Sequence, residues 1–365
     1  MAAILARIRP PGFPRRDFPI TRYGAAEGGV QKCTGAIAKA IDACSKAGGG
    51  RVIVPKGTFL TGAVHLKSNV NLHLEDGAIL RFSTAHQDYP VVFIRFEGTE
   101  VMNFSPLIYA FEQNNIAVTG PGTLDGGAGA EHWWNMRGAY NRDEDKRIAS
   151  PNASRALVAM ADKDTSVKDR VFGEGFNLRP NFVQPIRCNN VLFESFSMIN
   201  SPMWELNPVQ CRNVTVRGVK ISSHGPNNDG CDPECSTDVL IENCEFHTGD
   251  DCVSIKSGRN RDGRRVNIPC QNIIVRNNLM KDGHGGVAVG SEVSGGIRNV
   301  FIENNQMDSP HLQNALRIKT NSYRGGDLSN VVFRNNTVGE VAQAIVAVDF
   351  FYEEGPGGFP ARLTA

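Results

Sequence analysis

Four short polar clusters interrupt the apolar runs between Pro226 and Thr320, and their residue types suit acid–base chemistry on an acidic substrate. The clusters are Asn227-Asn228-Asp229-Gly230, Gly249-Asp250-Asp251, Gly283-His284-Gly285 and Arg317-Ile318-Lys319. Asp250 follows Asp229 by 21 residues, and 33 residues separate His284 both from Asp251 and from Arg317. Each interval is about the length of one repeat unit, which predicts that the clusters meet at one site.

The three aspartates, Asp229, Asp250 and Asp251, have the chemistry of a general acid and a general base. Neighbouring coils of a parallel β-helix stack about 4.8 Å apart, so the carboxyl groups would form a column. A glycosidase that inverts needs an acid and a carboxylate about 6.5 to 9.5 Å apart. Repulsion within the column would raise the proton affinity of at least one carboxyl. An isolated Asp-Asp pair is more often a turn or a calcium ligand, but four clusters in register favour catalysis.

Arg317 and Lys319 predict an acidic sugar as the ligand. They are two residues apart, so on a strand both side chains leave the same face and can grip one carboxylate. His284, between glycines, would tune an aspartate or bind a sugar ring; the alternative is a buried structural histidine. Tyr352, about one coil after Lys319, could stack on a sugar or belong to the core.

The basic stretch 259–265 follows the Asp pair and would place up to four guanidinium groups near the cleft, Arg259 among them. Its alternative is a solvated basic loop.

Recurring strands must position these side chains. Asn or Asp precedes a run of alternating β-branched residues at eight places: Asn69, Asn115, Asn190, Asn213, Asp238, Asn272, Asn299 and Asn330. The period of two excludes helical repeats, so the chain is expected to be an all-β solenoid, a parallel β-helix. Asn at the same position of successive coils can stack its amides in a ladder at a left-handed bend.

We expect one β-helix domain over residues 1–365 with a small cap at 20–50. The cap contains a helix over Thr34–Ala47 with Thr34 as its N-cap, and then a first strand. The repeat is lost in the polar stretch 128–166, which predicts a long excursion that closes one end of the cleft. A disordered surface loop is the alternative.

Composition limits the partners. Thirty-nine basic against 38 acidic residues give a net charge of +1, so neither nucleic acid nor a membrane is an expected partner. The nine cysteines are odd in number, and no second Cys/His pair accompanies Cys231 and Cys235 at zinc-like spacing, so no metal is expected. The first residues lack the long apolar core of a signal peptide, which indicates an intracellular protein or a removed leader.

The four clusters resemble the signatures of the polygalacturonases of glycoside hydrolase family 28, with Asn228 in place of the usual Thr. The resemblance implies a right-handed parallel β-helix that cleaves α-1,4-linked galacturonate in pectin with inversion, without metal or cofactor, outside the cytoplasm. It makes Asp250 the general acid, and Asp229 and Asp251 the groups that activate water. The substrate-binding residues would be Asn227, His284, Arg317 and Lys319.

The resemblance leaves several expectations open. Exo action on polygalacturonate or an oligogalacturonide is favoured, because the excursion and the basic stretch could close the cleft. A glycosidase of rhamnogalacturonan or xylogalacturonan, or a non-catalytic β-helix that binds acidic polysaccharide, is the alternative. Because family members usually continue beyond the position of Ala365, lower stability or self-association through that end is expected. The oligomeric state is not predicted.

Overall fold

The computed structural model describes residues 1–137 and 152–353. Their strands form three long parallel faces around one apolar core, which confirms the predicted parallel β-helix. The first face has ten strands: Asp17–Pro19, Gly50–Val54, Val70–Leu74, Asn114–Thr119, Asn189–Glu194, Arg212–Arg217, Thr237–Glu242, Cys270–Arg276, Ile297–Glu303 and Leu328–Arg334.

The other two faces share one long strand, Leu279–Gly290. It pairs with Glu245–Thr248 on the second face and then with Val253–Ile255 on the third. The other strands of the second face are Gly57–Thr61, Ala78–Phe82, Thr123–Asp125, Ser197–Ile199, Lys220–Ser223, Gln306–Met307 and Thr337–Val338. The other strands of the third face are Val64–His65, Ile108–Phe111, Val183–Ile186, Leu312–Lys319 and Ala344–Asp349. Single bridges through Leu206 and Cys231 complete the third face.

The predicted amide ladder is present at the start of the first-face strands. All eight repeated Asn and Asp residues have left-handed backbone, with φ between 53° and 66°. Their side chains hydrogen-bond from coil to coil; Asn272, for example, donates to Asp238 at 3.0 Å and accepts from Asn299 at 3.1 Å. The ladder is interrupted between Asn213 and Asp238, where the Asn213 oxygen accepts from the backbone N–H of Arg9 at 2.8 Å. Short Asn side chains tolerate this conformation better than β-branched ones, which accounts for the repeat.

The cap helix spans Thr34–Lys46, one residue shorter than predicted, and packs Ile37, Ala40 and Ile41 on the core. The prediction that Thr34 is the N-cap is wrong, because Cys33 holds that position. The Thr34 hydroxyl instead accepts a hydrogen bond from the backbone N–H of Gly62 at 2.7 Å.

The stretch 128–166 is ordered wherever it is described. Trp134–Met136 forms a 3₁₀ turn and Ala153–Asp162 an α-helix, whereas 138–151 lie outside the described residues. The remaining α-helices are Ala2–Leu5 and Asn260–Val266. An antiparallel hairpin, Val91–Phe96 with Thr99–Phe104, lies beside the helices Ala153–Asp162 and Asn260–Val266.

All nine cysteines are buried free thiols. Among the described residues, none of the helices has the length and apolar character to span a membrane.

Candidate active site

Backbone pairing at the turn between the second and third faces brings the aspartates together. The N–H of Gly230 donates to the carbonyl of Asp251, and the N–H of His284 donates to the carbonyl of Asp250. The glycines make this stacking possible: a Cβ at Gly283, where φ is +125°, would lie 2.1 Å from the carbonyl oxygen of Asp250. Three of the four polar clusters therefore occupy successive coils.

One carboxylate oxygen from each of Asp229, Asp250 and Asp251 lies within 4.8 Å of the others. Asp251 is fully buried and Asp229 is 3% exposed, whereas Asp250 is partly exposed. The nearest oxygens are thus closer than the 6.5 to 9.5 Å between carboxyl groups that is usual for inverting enzymes. Inversion therefore stays a prediction.

Each aspartate has its own basic partner. Lys319 Nζ lies 2.7 Å from Asp251 Oδ2, and His284 Nδ1 lies 2.9 Å from Asp250 Oδ1. Lys256 Nζ lies 3.7 Å from Asp229 Oδ2. Positive charge from Lys319 and Lys256 therefore lies beside the trio.

Burial and the neighbouring charges shift the pKa values of Asp229 and Asp250 in opposite directions. Burial, followed by the charges of Asp232 and Asp250, raises the pKa of Asp229 well above its usual value. Burial also raises the pKa of Asp250, but the hydrogen bond and charge of His284, with help from Lys319, outweigh it and lower that pKa overall. The sequence predicted that repulsion would raise the proton affinity of at least one carboxyl. The pKa of Asp229 is indeed raised, but burial is a larger cause than repulsion. Asp229 therefore gains affinity for a proton, and Asp250 loses it.

Arg317 and Lys319 share one face, as their spacing predicts. The guanidinium carbon of Arg317 lies 5.4 Å and Lys319 Nζ lies 5.3 Å from the ring centroid of Tyr352. Tyr352 follows by one coil, and its N–H donates to the carbonyl of Thr320. Its half-buried ring is thus held against both cations and borders the cleft.

A cleft of about 690 Å³ extends from Asp229 and Asp250 across the third face. Ser154, Arg155 and Val158 of the helix Ala153–Asp162 line its far side. The remaining described residues of that wall are Glu97, Arg137, Asn152, Arg259, Asn260, Tyr323, Arg324 and Glu353. The predicted excursion therefore reaches the cleft.

The basic stretch contributes less positive charge than expected. Of its four arginines, Arg259 is the one that lines the cleft, and it pairs with Glu97 at 2.9 Å and Glu353 at 3.2 Å. Arg261 pairs with Asp164 outside the cleft. Arg264 donates to the backbone carbonyls of 323 and 324, and Arg265 pairs with Glu100 and Asp262. These residues form a helix, Asn260–Val266, instead of a free loop.

Asn227 lines the cleft and is held in place by a residue that the sequence did not point to. Its left-handed backbone has φ 56°, and its side-chain oxygen accepts a hydrogen bond from Arg179 at 2.7 Å. Lys256, Glu292 and Trp204 were also missed. Only Lys256 carried a signal, because it follows the buried strand Val253–Ile255 at an outward position.

The profile of "Glycosyl hydrolases family 28" matches residues 163–361, more than half of the chain. The chain belongs to glycoside hydrolase family 28. It is 46% identical to a hyperthermoactive exopolygalacturonase from Thermotoga maritima, with a TM-score of 0.94 over 97% of this chain and 80% of that one. It is also 25% identical to a family 28 exopolygalacturonase from Yersinia enterocolitica, with a TM-score of 0.74 over 92% of this chain and 61% of that one.

Among curated relatives, an exo-poly-alpha-D-galacturonosidase from Dickeya chrysanthemi is 29% identical over 95% of this chain and 59% of its own length. A probable polygalacturonase from Vitis vinifera likewise matches over 59% of its length. The chain therefore spans about three fifths of these curated relatives.

Proposed function

We propose that the protein is a glycosidase that hydrolyses α-1,4-linked galacturonate in polygalacturonate, acting from a chain end. The observation that carries the proposal is the meeting of Asp229, Asp250 and Asp251 at a cleft whose bordering cations, Lys319 and Arg317, suit a sugar carboxylate. Family membership and the named activities of the exo-acting relatives support it.

Asp250 is the proposed general acid. The hydrogen bond to Asp250 raises the pKa of the His284 imidazole, so His284 is the proposed source of the proton that Asp250 delivers. Proton movement along the 2.9 Å hydrogen bond would supply Asp250 as it protonates the glycosidic oxygen. Asp251, hydrogen-bonded to Lys319, and Asp229 would orient the attacking water and take its proton.

Substrate binding is assigned to Asn227, His284, Arg317, Lys319 and Tyr352. Arg317 and Lys319 would bind the carboxylate of one sugar, with the ring of Tyr352 against its apolar face. Arg259, with two carboxylate partners, would act mainly by holding the wall.

Exo action is proposed because two segments outside the regular coils line the cleft. The helix Ala153–Asp162 and the hairpin turn at Glu97 both reach its far side. We propose that they limit the groove to the end of a polymer chain, so that short products are released from that end.

Incubation with polygalacturonate and analysis of product sizes tests this proposal. Early release of monomer or dimer is expected, whereas a ladder of oligomers would indicate endo action. Absence of new reducing ends between about pH 4 and about pH 8 would contradict the proposal that the protein is a glycosidase. A parallel panel with rhamnogalacturonan and xylogalacturonan identifies a different backbone, and binding without turnover identifies a non-catalytic protein.

Three further points stay predictions. Proton NMR of the first product detects its anomer, and the β-anomer from the α-linked substrate is expected for inversion. Activity that survives EDTA would agree with the prediction that no metal or cofactor is required. Location outside the cytoplasm is proposed from family resemblance alone and is tested by fractionating the source cells.

A further inference from the structure

Beneath the aspartate trio lies a buried lysine that the proposed mechanism does not use. Lys256 ends the strand Val253–Ile255 on the third face and is 3% exposed. Its Nζ donates to Ser254 Oγ at 2.9 Å and lies 4.5 Å from the centroid of the Trp204 ring. A lysine this deeply buried is costly unless opposite charge surrounds it.

Three carboxylates surround that ammonium group. Lys256 Nζ lies 3.3 Å from Glu292, 3.5 Å from Asp232 and 3.7 Å from Asp229. Both oxygens of Asp232 and one oxygen of Asp229 lack a hydrogen-bond partner among the described residues. The lysine is therefore the charge that offsets these buried acids.

The acids around the lysine differ in protonation. The charge of Lys256, with those of Arg324 and Arg259, outweighs burial and lowers the pKa of Glu292 to about 2. Burial raises the pKa of Asp232 to about 8, because Lys256 offsets that cost only in part. The other charged groups facing Asp229 and Asp232 are Asp250, Asp251 and Glu205.

Resting on the proposed function, we propose that Lys256 is a positioning residue that favours the charged, water-activating form of Asp229. Its ammonium group lies 3.7 Å from Asp229 Oδ2. Removing that charge should therefore raise the pH at which Asp229 ionises. A residue that only fills space could not have that effect.

The test compares the pH profiles of kcat/KM for Lys256→Met and Asp232→Asn. Methionine keeps most of the volume of the lysine and loses its charge. The acidic limb is expected to move up by about one pH unit or more in Lys256→Met and to stay near its original place in Asp232→Asn, because Asp232 is already uncharged at that pH. Lys256→Arg keeps the charge and should hold the limb near its original place. Lys67→Met, at a surface pair with Asp42, is the matched control and should change nothing.

A uniform fall in activity without movement of the acidic limb in Lys256→Met would overturn the proposal, as would an equal upward movement in Asp232→Asn. Circular dichroism melts identify variants that do not fold, and Lys256→Gln replaces Lys256→Met if that variant is among them.

A second readout needs no substrate. Carbon-13 NMR of aspartate-labelled protein follows the Asp229 carboxyl, assigned with Asp229→Asn, through a pH titration. Its midpoint should rise in Lys256→Met, and an unmoved midpoint overturns the inference. If the wild-type protein hydrolyses no pectic polymer, the proposed function fails, and this titration still decides the role of the lysine.

Discussion

Two columns of side chains run along the β-helix, and both arise from the stacking of successive coils. In the amide ladder at the first face, an Asn can donate to one neighbour and accept from the next, as Asn272 does between Asp238 and Asn299. In the aspartate column at the cleft, carboxylates can only accept, so Asp229 is left with an oxygen that lacks a donor. The same spacing between coils satisfies the hydrogen-bonding groups of the amide column but leaves acceptors without donors in the aspartate column.

The difference shows how a repetitive fold can hold a reactive site. Amides are neutral and self-complementary, so adding a coil extends the ladder without electrostatic cost. Like charges stacked at the same spacing repel, and they need buried cations such as Lys319 and Lys256 to persist. The ladder should therefore control stability, and the aspartate column should control activity.

The largest expected effect comes from breaking the aspartate column with Asp250→Asn. Loss of the proposed acid should reduce kcat by about 10²-fold to 10⁴-fold, with substrate binding largely kept. A modest fall in melting temperature is also expected, because the variant loses the pairing with His284 that lowers the pKa of Asp250 in the folded protein. Asp42→Asn at the surface is the control for charge alone. Near-normal turnover by Asp250→Asn would remove Asp250 from the mechanism.

Breaking the ladder with Asn272→Ala should have the opposite outcome. The variant loses two side-chain hydrogen bonds, each worth about 1 kcal/mol. Alanine at this position would also have a strained left-handed backbone, with φ 61°, and no side-chain hydrogen bond to offset the strain. A lower urea midpoint with unchanged kcat is expected. Asn272→Gly loses the bonds without the backbone strain and should lie between the two proteins. If kcat fell in parallel with stability, the proposed division between the columns would be wrong.

The pH dependence of stability sharpens the comparison. Asp232 has a pKa of about 8 in the folded protein, so the native state keeps a proton that the unfolded chain releases near pH 4. Its contribution to stability should therefore fall as pH rises from about 4 to about 8. Urea unfolding at pH 5 and pH 8 should show a smaller decrease for Asp232→Asn than for the wild-type protein. Equal decreases would mean that Asp232 is ionised at both values.

The smallest expected effect concerns Asp238, the one acid among the eight repeated positions of the ladder. It is paired with Arg7 at 2.7 Å, but Arg7 is 49% exposed, and such surface pairs contribute about 0 to 1 kcal/mol. Asp238→Asn keeps a side chain that suits the ladder. A change in the free energy of unfolding within about 1 kcal/mol is expected, and a larger loss would show that an acid is required there.

The ladder and the meeting of the aspartates were predictable because both follow from spacing along the chain. Asn272 and its equivalents recur before alternating strands, and stacking alone makes them neighbours. The partner of Asn227 was not predictable, since Arg179 reaches it from 48 positions away by a side chain that no period marks. The protonation of Asp229 depends on burial and on Asp232 and Lys256, which become neighbours only in the folded protein.

The nine buried thiols are natural probes of local unfolding along the β-helix. Burial raises the pKa of Cys244 to about 12, and thiols in this state react slowly with alkylating reagents until their coil opens. Cys33 and Cys44 report on the cap, and the other seven are distributed over the coils from Cys188 to Cys270. Pulsed alkylation followed by peptide mass spectrometry would therefore read the order in which the coils open, without any engineered label.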